Sequence, residues 1–112
     1  MKLEYLQTAQ TGVRWFRGYY RKNPQLNLAK AVAALRVAEM TLCGNPLAGE
    51  RFDDFETVRE YKIIGTAFSL LYTLAGDRVL VIDLRDQRGF RSAEALRAFT
   101  AELRQRYGLD QN

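Results

Sequence analysis

Val58-Arg-Glu-Tyr-Lys-Ile-Ile64, Phe68-Ser-Leu-Leu-Tyr-Thr-Leu74 and Arg78-Val-Leu-Val-Ile-Asp-Leu-Arg85 are three apolar-rich runs separated by short links around Gly65-Thr66 and Ala75-Gly76-Asp77. Runs of this length, rich in β-branched and aromatic residues and bounded by glycine, read as strands. Links this short join only antiparallel neighbours. The segment from Val58 to Arg88 is therefore predicted to be a three-stranded antiparallel meander. In the middle run Phe68, Leu70, Tyr72 and Leu74 share one face, opposite Ser69, Leu71 and Thr73. The third run is apolar on both faces at Val79, Leu80, Val81 and Ile82, so each of its faces needs a cover.

Upstream, Val13, Phe16 and Tyr20 recur at helical spacing between Gln10 and Lys22, widened by Trp15 and Tyr19, while Arg14, Arg17, Arg21 and Lys22 take the other face. Asn23-Pro24 breaks this helix. A second is predicted from near Gln25 through Leu28, Val32, Leu35, Ala38 and Leu42 to a stop at Gly44-Asn45-Pro46. The pair forms a helical hairpin whose apolar side suits the Phe68 face of the meander. Leu3 to Thr8 reads as a first strand, and Leu47 to Glu56 as a surface connection. A third helix, about 92–107, starts at Ser92 and carries Leu96, Phe99, Leu103 and Tyr107 on one stripe, a candidate cover for the second sheet face. The result is an α+β fold in a single domain over residues 1–112, with a core of about 3–91.

The 112 residues suffice for one core but not two. With one cysteine and no histidine, an intramolecular disulfide, the common zinc sites and His-based triads are excluded. No cofactor or metal is expected. The start Met1-Lys2-Leu3-Glu4 lacks the apolar core of a signal peptide, and no apolar run approaches membrane-spanning length, so a soluble cytoplasmic protein is expected. The net charge of +4 is uneven: residues 1–48 hold seven bases and two acids. Such a surface attracts anionic partners, either nucleic acid or an acidic protein segment. Arginines beside Trp15, Phe16, Tyr19 and Tyr20 invite a stacking interpretation, but helical spacing favours core packing for the four rings.

The order strand, helical hairpin, meander resembles that of RelE/ParE-type toxins of type II toxin–antitoxin modules. Trp15-Phe16 with Tyr19-Tyr20, Asn45-Pro46 with Gly49, Val58-Arg59-Glu60, Thr66-Ala-Phe-Ser-Leu-Leu-Tyr72 and Asp86-Gln87-Arg88 look like landmarks of that family, over roughly residues 3 to 88. The resemblance implies a cognate antitoxin as first partner, and either of two targets. RelE-like members are ribosome-dependent endonucleases of messenger RNA; ParE-like members poison DNA gyrase. A third possibility is an inactive scaffold that only binds antitoxin.

Cleavage through a ribose 2′-hydroxyl needs a proton acceptor, cations for the phosphorane and an acid for the leaving oxygen. Glu60, Lys62, Arg85 and Arg88 are the catalytic candidates for that chemistry, but Ile64 and Ser69 stand where the nuclease pattern places bases. Those gaps lean the resemblance toward the gyrase-inhibiting branch, with Arg59, Arg85 and Arg88 as target-binding candidates. Pairing with Glu60, Asp83 and Asp86 is the plainer explanation of the same charges. Leu96, Phe99 and Leu103 are the candidates for antitoxin binding, through a groove the antitoxin competes for.

Overall fold

The computed structural model describes residues 1–52 and 55–87. The predicted third helix over 92–107, and with it Arg88, Leu96, Phe99 and Leu103, lies outside the described residues. The elements are β1 (Lys2–Tyr5), α1 (Gln10–Lys22), α2 (Leu28–Gly44), β2 (Glu50–Phe52), β3 (Phe55–Lys62), β4 (Phe68–Ala75) and β5 (Arg78–Asp86). They form an α+β fold around a mixed five-stranded sheet of order β1-β5-β4-β3-β2.

The meander β3-β4-β5 is antiparallel throughout, as its short links require. Gly76 has φ 62 in the two-residue link between β4 and β5, a left-handed position that glycine occupies without a Cβ penalty. Two features enlarge the sheet beyond the predicted meander. β1 pairs parallel with β5, Leu3 opposite Val79 and Tyr5 opposite Val81. The connection predicted over Leu47 to Glu56 contains β2, paired antiparallel with β3. Only three residues long and led by exposed Glu50 and Arg51, β2 has no apolar alternation by which to be recognised.

The predicted first strand over residues 3–8 ends earlier, at Tyr5. The chain then tightens into a 3-10 turn over Gln7–Ala9, and the Thr8 hydroxyl donates to the Ile82 carbonyl at 2.8 Å. The second helix begins at Leu28 rather than near Gln25. Pro24–Leu26 form a 3-10 turn, and Asn27, at φ 62, caps α2 by accepting from the Lys30 N–H at 3.2 Å.

The helical hairpin covers one sheet face. Phe16 and Tyr20 of α1 and Ala31, Ala38 and Leu42 of α2 pack on Phe68, Leu70, Tyr72, Val79 and Val81, all buried. Fully burying one such large side chain contributes about 1.5–3 kcal/mol. Ring contacts lock the centre, with Phe16 edge-on to Phe68 at 5.1 Å between centroids. The other face is buried too, at Val58, Leu71, Leu80 and Ile82. Its register with the first face is set by a bulge: Leu71 pairs with Asp83 but Tyr72 with Val81, leaving Ile82 as the extra residue of β5.

Close approach of α1 to β5 depends on Gly12. A Cβ there would overlap Asp83 Oδ1 and stand 2.8 Å from both the backbone N and O of Leu84.

Candidate functional site

The strand pleat sorts the predicted site residues onto two faces. On the face of Val58 and Leu71, Lys62 lies opposite Ser69, and Ser69 opposite Arg85, so these three form a row across β3, β4 and β5. Glu60 sits one pleat along β3. Arg85 Nη1 reaches over the small Ser69 to Glu60 Oε2 at 2.9 Å, a half-buried ion pair. The Arg85 guanidinium also lies 5.4 Å from the centroid of the Phe52 ring, a cation–π distance. Phe52, from a strand the sequence did not reveal, thus belongs to this site.

Arg59 is not part of it. It points to the hairpin side, where its Nη1 donates to the Gly49 carbonyl at 2.6 Å. The same peptide segment is gripped from below by Tyr72, whose hydroxyl accepts from Gly49 N–H at 2.9 Å and donates to the Pro46 carbonyl at 2.7 Å. Burial raises the Tyr72 pKa against the opposing pull of the Gly49 hydrogen bond and Arg59. Arg59 and Arg85, predicted to serve one target-binding surface, therefore lie on opposite faces of the sheet.

Among the described residues, the charges on the Arg85 face are balanced rather than basic. Register places Glu50 directly opposite Glu60, so the surface carries two carboxylates beside Lys62 and Arg85. Like charges facing each other across strands are unfavourable, and Arg85 relieves this by holding Glu60. Ser69 is fully buried, and the described residues offer its hydroxyl no hydrogen-bond partner. Ile64, just past β3, is 80% exposed. Among the described residues, a phosphodiester arriving here would find one exposed cation, Lys62, a guanidinium already engaged, and two carboxylates. Among the described residues no cluster of His, Cys, Asp or Glu could hold a metal ion.

The aromatic quartet of α1 splits in two. Phe16 and Tyr20 are core, as the spacing predicts. Trp15 is 41% exposed, and Tyr19 is half-buried beside it. On α2, Ala33, Val37, Met40 and Gly44 follow one another at helical spacing on the outward side, with Val37 55% and Met40 68% exposed. The sequence assigned no role to this row because alanines and apolar residues encircle α2, hiding which side faces water.

No protein-family model matches the chain, and no curated protein is significantly similar to it.

Proposed function

We propose that this protein is the toxin of a type II toxin–antitoxin module, of the ParE-like kind, acting in the cytoplasm by inhibiting DNA gyrase and held inactive by a cognate antitoxin. The order of elements and the landmark residues from Trp15 to Gln87 support the family reading. No helix among the described residues is long and apolar enough to cross a membrane.

One observation carries the choice of branch: the sheet face where ribonucleolytic chemistry would be sought pairs its arginine with its carboxylate. With Arg85 on Glu60 at 2.9 Å and Ser69 buried beside Arg85, the described residues of this face hold no excess of free cations to stabilise a phosphorane. A toxin that acts by binding needs no such excess. On this reading Arg85 and Lys62 present the target-facing surface, Arg59 acts as a clamp on the Gly49 segment, and the outward row of Val37 and Met40 offers the antitoxin an apolar strip.

The test is purified protein in a gyrase supercoiling reaction, alongside expression in cells with DNA breaks and transcript cleavage scored together. Inhibited supercoiling with accumulated breaks is expected. Unaffected supercoiling accompanied by codon-positioned cleavage of messenger RNA would overturn the reading in favour of a ribonuclease; neither activity would leave only an antitoxin-binding scaffold.

A further inference from the structure

A groove of about 430 Å³ runs along α1, lined by Thr11, Arg14, Trp15, Gly18, Tyr19, Lys22 and Asn23. We propose that it binds single-stranded nucleic acid, with an unpaired base against Trp15 and Tyr19 and the flanking phosphates on Arg14 and Lys22.

The aromatic floor is held in place from behind. Trp15 Nε1–H donates to Asp86 Oδ2 at 3.3 Å, and Asp86 is fully buried, so the carboxylate fixes the indole without facing the groove. Tyr19 packs edge-on to Tyr20 at 5.1 Å and to Phe68 at 5.6 Å. Asn23 Nδ2 donates to the Tyr19 carbonyl at 2.8 Å, tightening the end of the helix. A ring already fixed loses little freedom when a base stacks on it.

Gly18 supplies a second, independent sign. A glycine inside a helix costs about 1 kcal/mol relative to alanine. Gly12, in the same helix, is required by the approach of β5, but a Cβ on Gly18 would meet nothing within 4 Å. No contact among the described residues asks for a glycine there. Its effect is to leave the floor bare one turn beyond Trp15 and one turn before Lys22.

Charge favours a polyanion. α1 contains Arg14, Arg17, Arg21 and Lys22 and no acid, and the only acid of α2, Glu39, accepts from the Tyr5 hydroxyl at 2.6 Å. A duplex would not fit, because its bases are stacked on each other and cannot reach a groove floor. An acidic peptide matches the charge but has no requirement for an exposed indole and a half-buried tyrosine ring beside a bare glycine. A single strand uses both features. The proposal is independent of the gyrase reading, which concerns the sheet.

Trp15 is the only tryptophan in the chain, so its own fluorescence reports occupancy. The full chain is titrated with a twelve-nucleotide oligothymidylate and, separately, with polyglutamate of equal charge, and affinity is measured by anisotropy of the labelled oligonucleotide. Saturable quenching by oligothymidylate is expected. Gly18→Leu, which fills the groove, should weaken binding about tenfold or more, the loss of about one stacked base, with Tm unchanged or higher; Gly18→Gln serves the same end should the leucine variant aggregate. Arg14→Gln with Lys22→Gln should flatten the salt dependence by roughly 1.4 in log–log slope, about 0.7 per lost phosphate contact. Lys30→Gln, away from the groove, should change affinity less than twofold. The proposal is overturned by absent quenching at low salt, by equal affinity in the groove-filled variants, or by polyglutamate quenching Trp15 as effectively as the oligonucleotide.

Discussion

Arg85 and Glu60 meet at 2.9 Å although their strands are not neighbours: β4 runs between them, with the small Ser69 opposite Arg85 and Leu71 opposite Glu60. Two strand spacings separate the backbones, about 10 Å, a span that a long arginine side chain can close. Their side chains are 22% and 17% exposed, so the pair is screened less than a surface bridge. A double-mutant cycle of Arg85→Ala and Glu60→Gln in urea unfolding should return a coupling of about 1 kcal/mol. Growth inhibition separates stability from target contact. Arg85→Ala should reduce it more than Glu60→Gln, and equal losses that track stability would assign Arg85 to the fold alone.

Ser69 makes that crossing possible by being small, and its hydroxyl contributes nothing by hydrogen bonding to a described residue. A buried hydroxyl without a partner costs about 1–3 kcal/mol. Ser69→Ala keeps the volume nearly constant and removes the polar atom, so chemical denaturation should show equal or higher stability, by up to about 1 kcal/mol. A loss of more than that would mean the hydroxyl is bonded in solution.

Tyr72, Arg59 and Gly49 form one unit on the other face. Tyr72→Phe strands the buried Gly49 N–H and the part-buried Pro46 carbonyl, which should cost about 1–3 kcal/mol. Arg59→Ala frees the Gly49 carbonyl, whose bond is part-buried, and should cost less, since it removes one hydrogen bond where Tyr72→Phe removes two. Combining the two should be less than additive, because both act on the same peptide segment. If Arg59→Ala abolished growth inhibition while leaving the melting temperature unchanged, its place as a clamp would be wrong.

The meander and the hairpin were legible because local chemistry alone dictates them: Gly76 demands its turn, and Phe68 to Leu74 alternate in strand period. The split of Arg59 from Arg85 was also within reach, since the pleat puts Arg59 and Glu60 on opposite faces and Arg85 pairs with Glu60. What was not legible depends on distant partners. β2 becomes a strand only because β3 lies beside it, and the parallel pairing of Leu3 with Val79 joins ends of the chain that no local pattern relates. The hydroxyl of Tyr72 looked like one more core aromatic among Leu70 and Leu74, and nothing local to it announces Gly49.

Alkaline pH tests the Tyr5 contact. The Tyr5 hydroxyl donates to Glu39 Oε2 at 2.6 Å, and burial first, then the Glu39 hydrogen bond and charge, raise its pKa well above the ordinary 10.0. In the unfolded chain Tyr5 loses its proton near pH 10, while in the folded chain it keeps it. The stabilisation is therefore complete below about pH 10 and declines as pH rises beyond that, by up to about 1.4 kcal/mol per pH unit for one group. Tyr5→Phe should be less stable at neutral pH but should show a shallower alkaline decline between about pH 10 and 11 by urea unfolding. Parallel alkaline slopes for the two proteins would remove Tyr5 as the source.

The two glycines of α1 should respond in opposite directions to the same change. At Gly12 an added methyl overlaps Asp83 Oδ1 and presses within 2.8 Å of the Leu84 backbone. Backbone cannot rotate aside as a side-chain tip can, so α1 must lift from β5 and loosen Phe16 over Phe68. Overpacking of this kind costs about 1–3 kcal/mol, and Gly12→Ala should reach or exceed the upper figure. At Gly18 the methyl enters open space, so only the helix propensity changes. Gly18→Ala should therefore stabilise by about 1 kcal/mol or slightly less. Thermal melts of both variants decide it: a domain of this size should move by about 4 °C per kcal/mol, down for Gly12→Ala and up for Gly18→Ala. Should both fall, α1 would lie closer to another surface at Gly18 than its open groove implies, and the bare floor between Trp15 and Lys22 would be a packing requirement instead of a binding one.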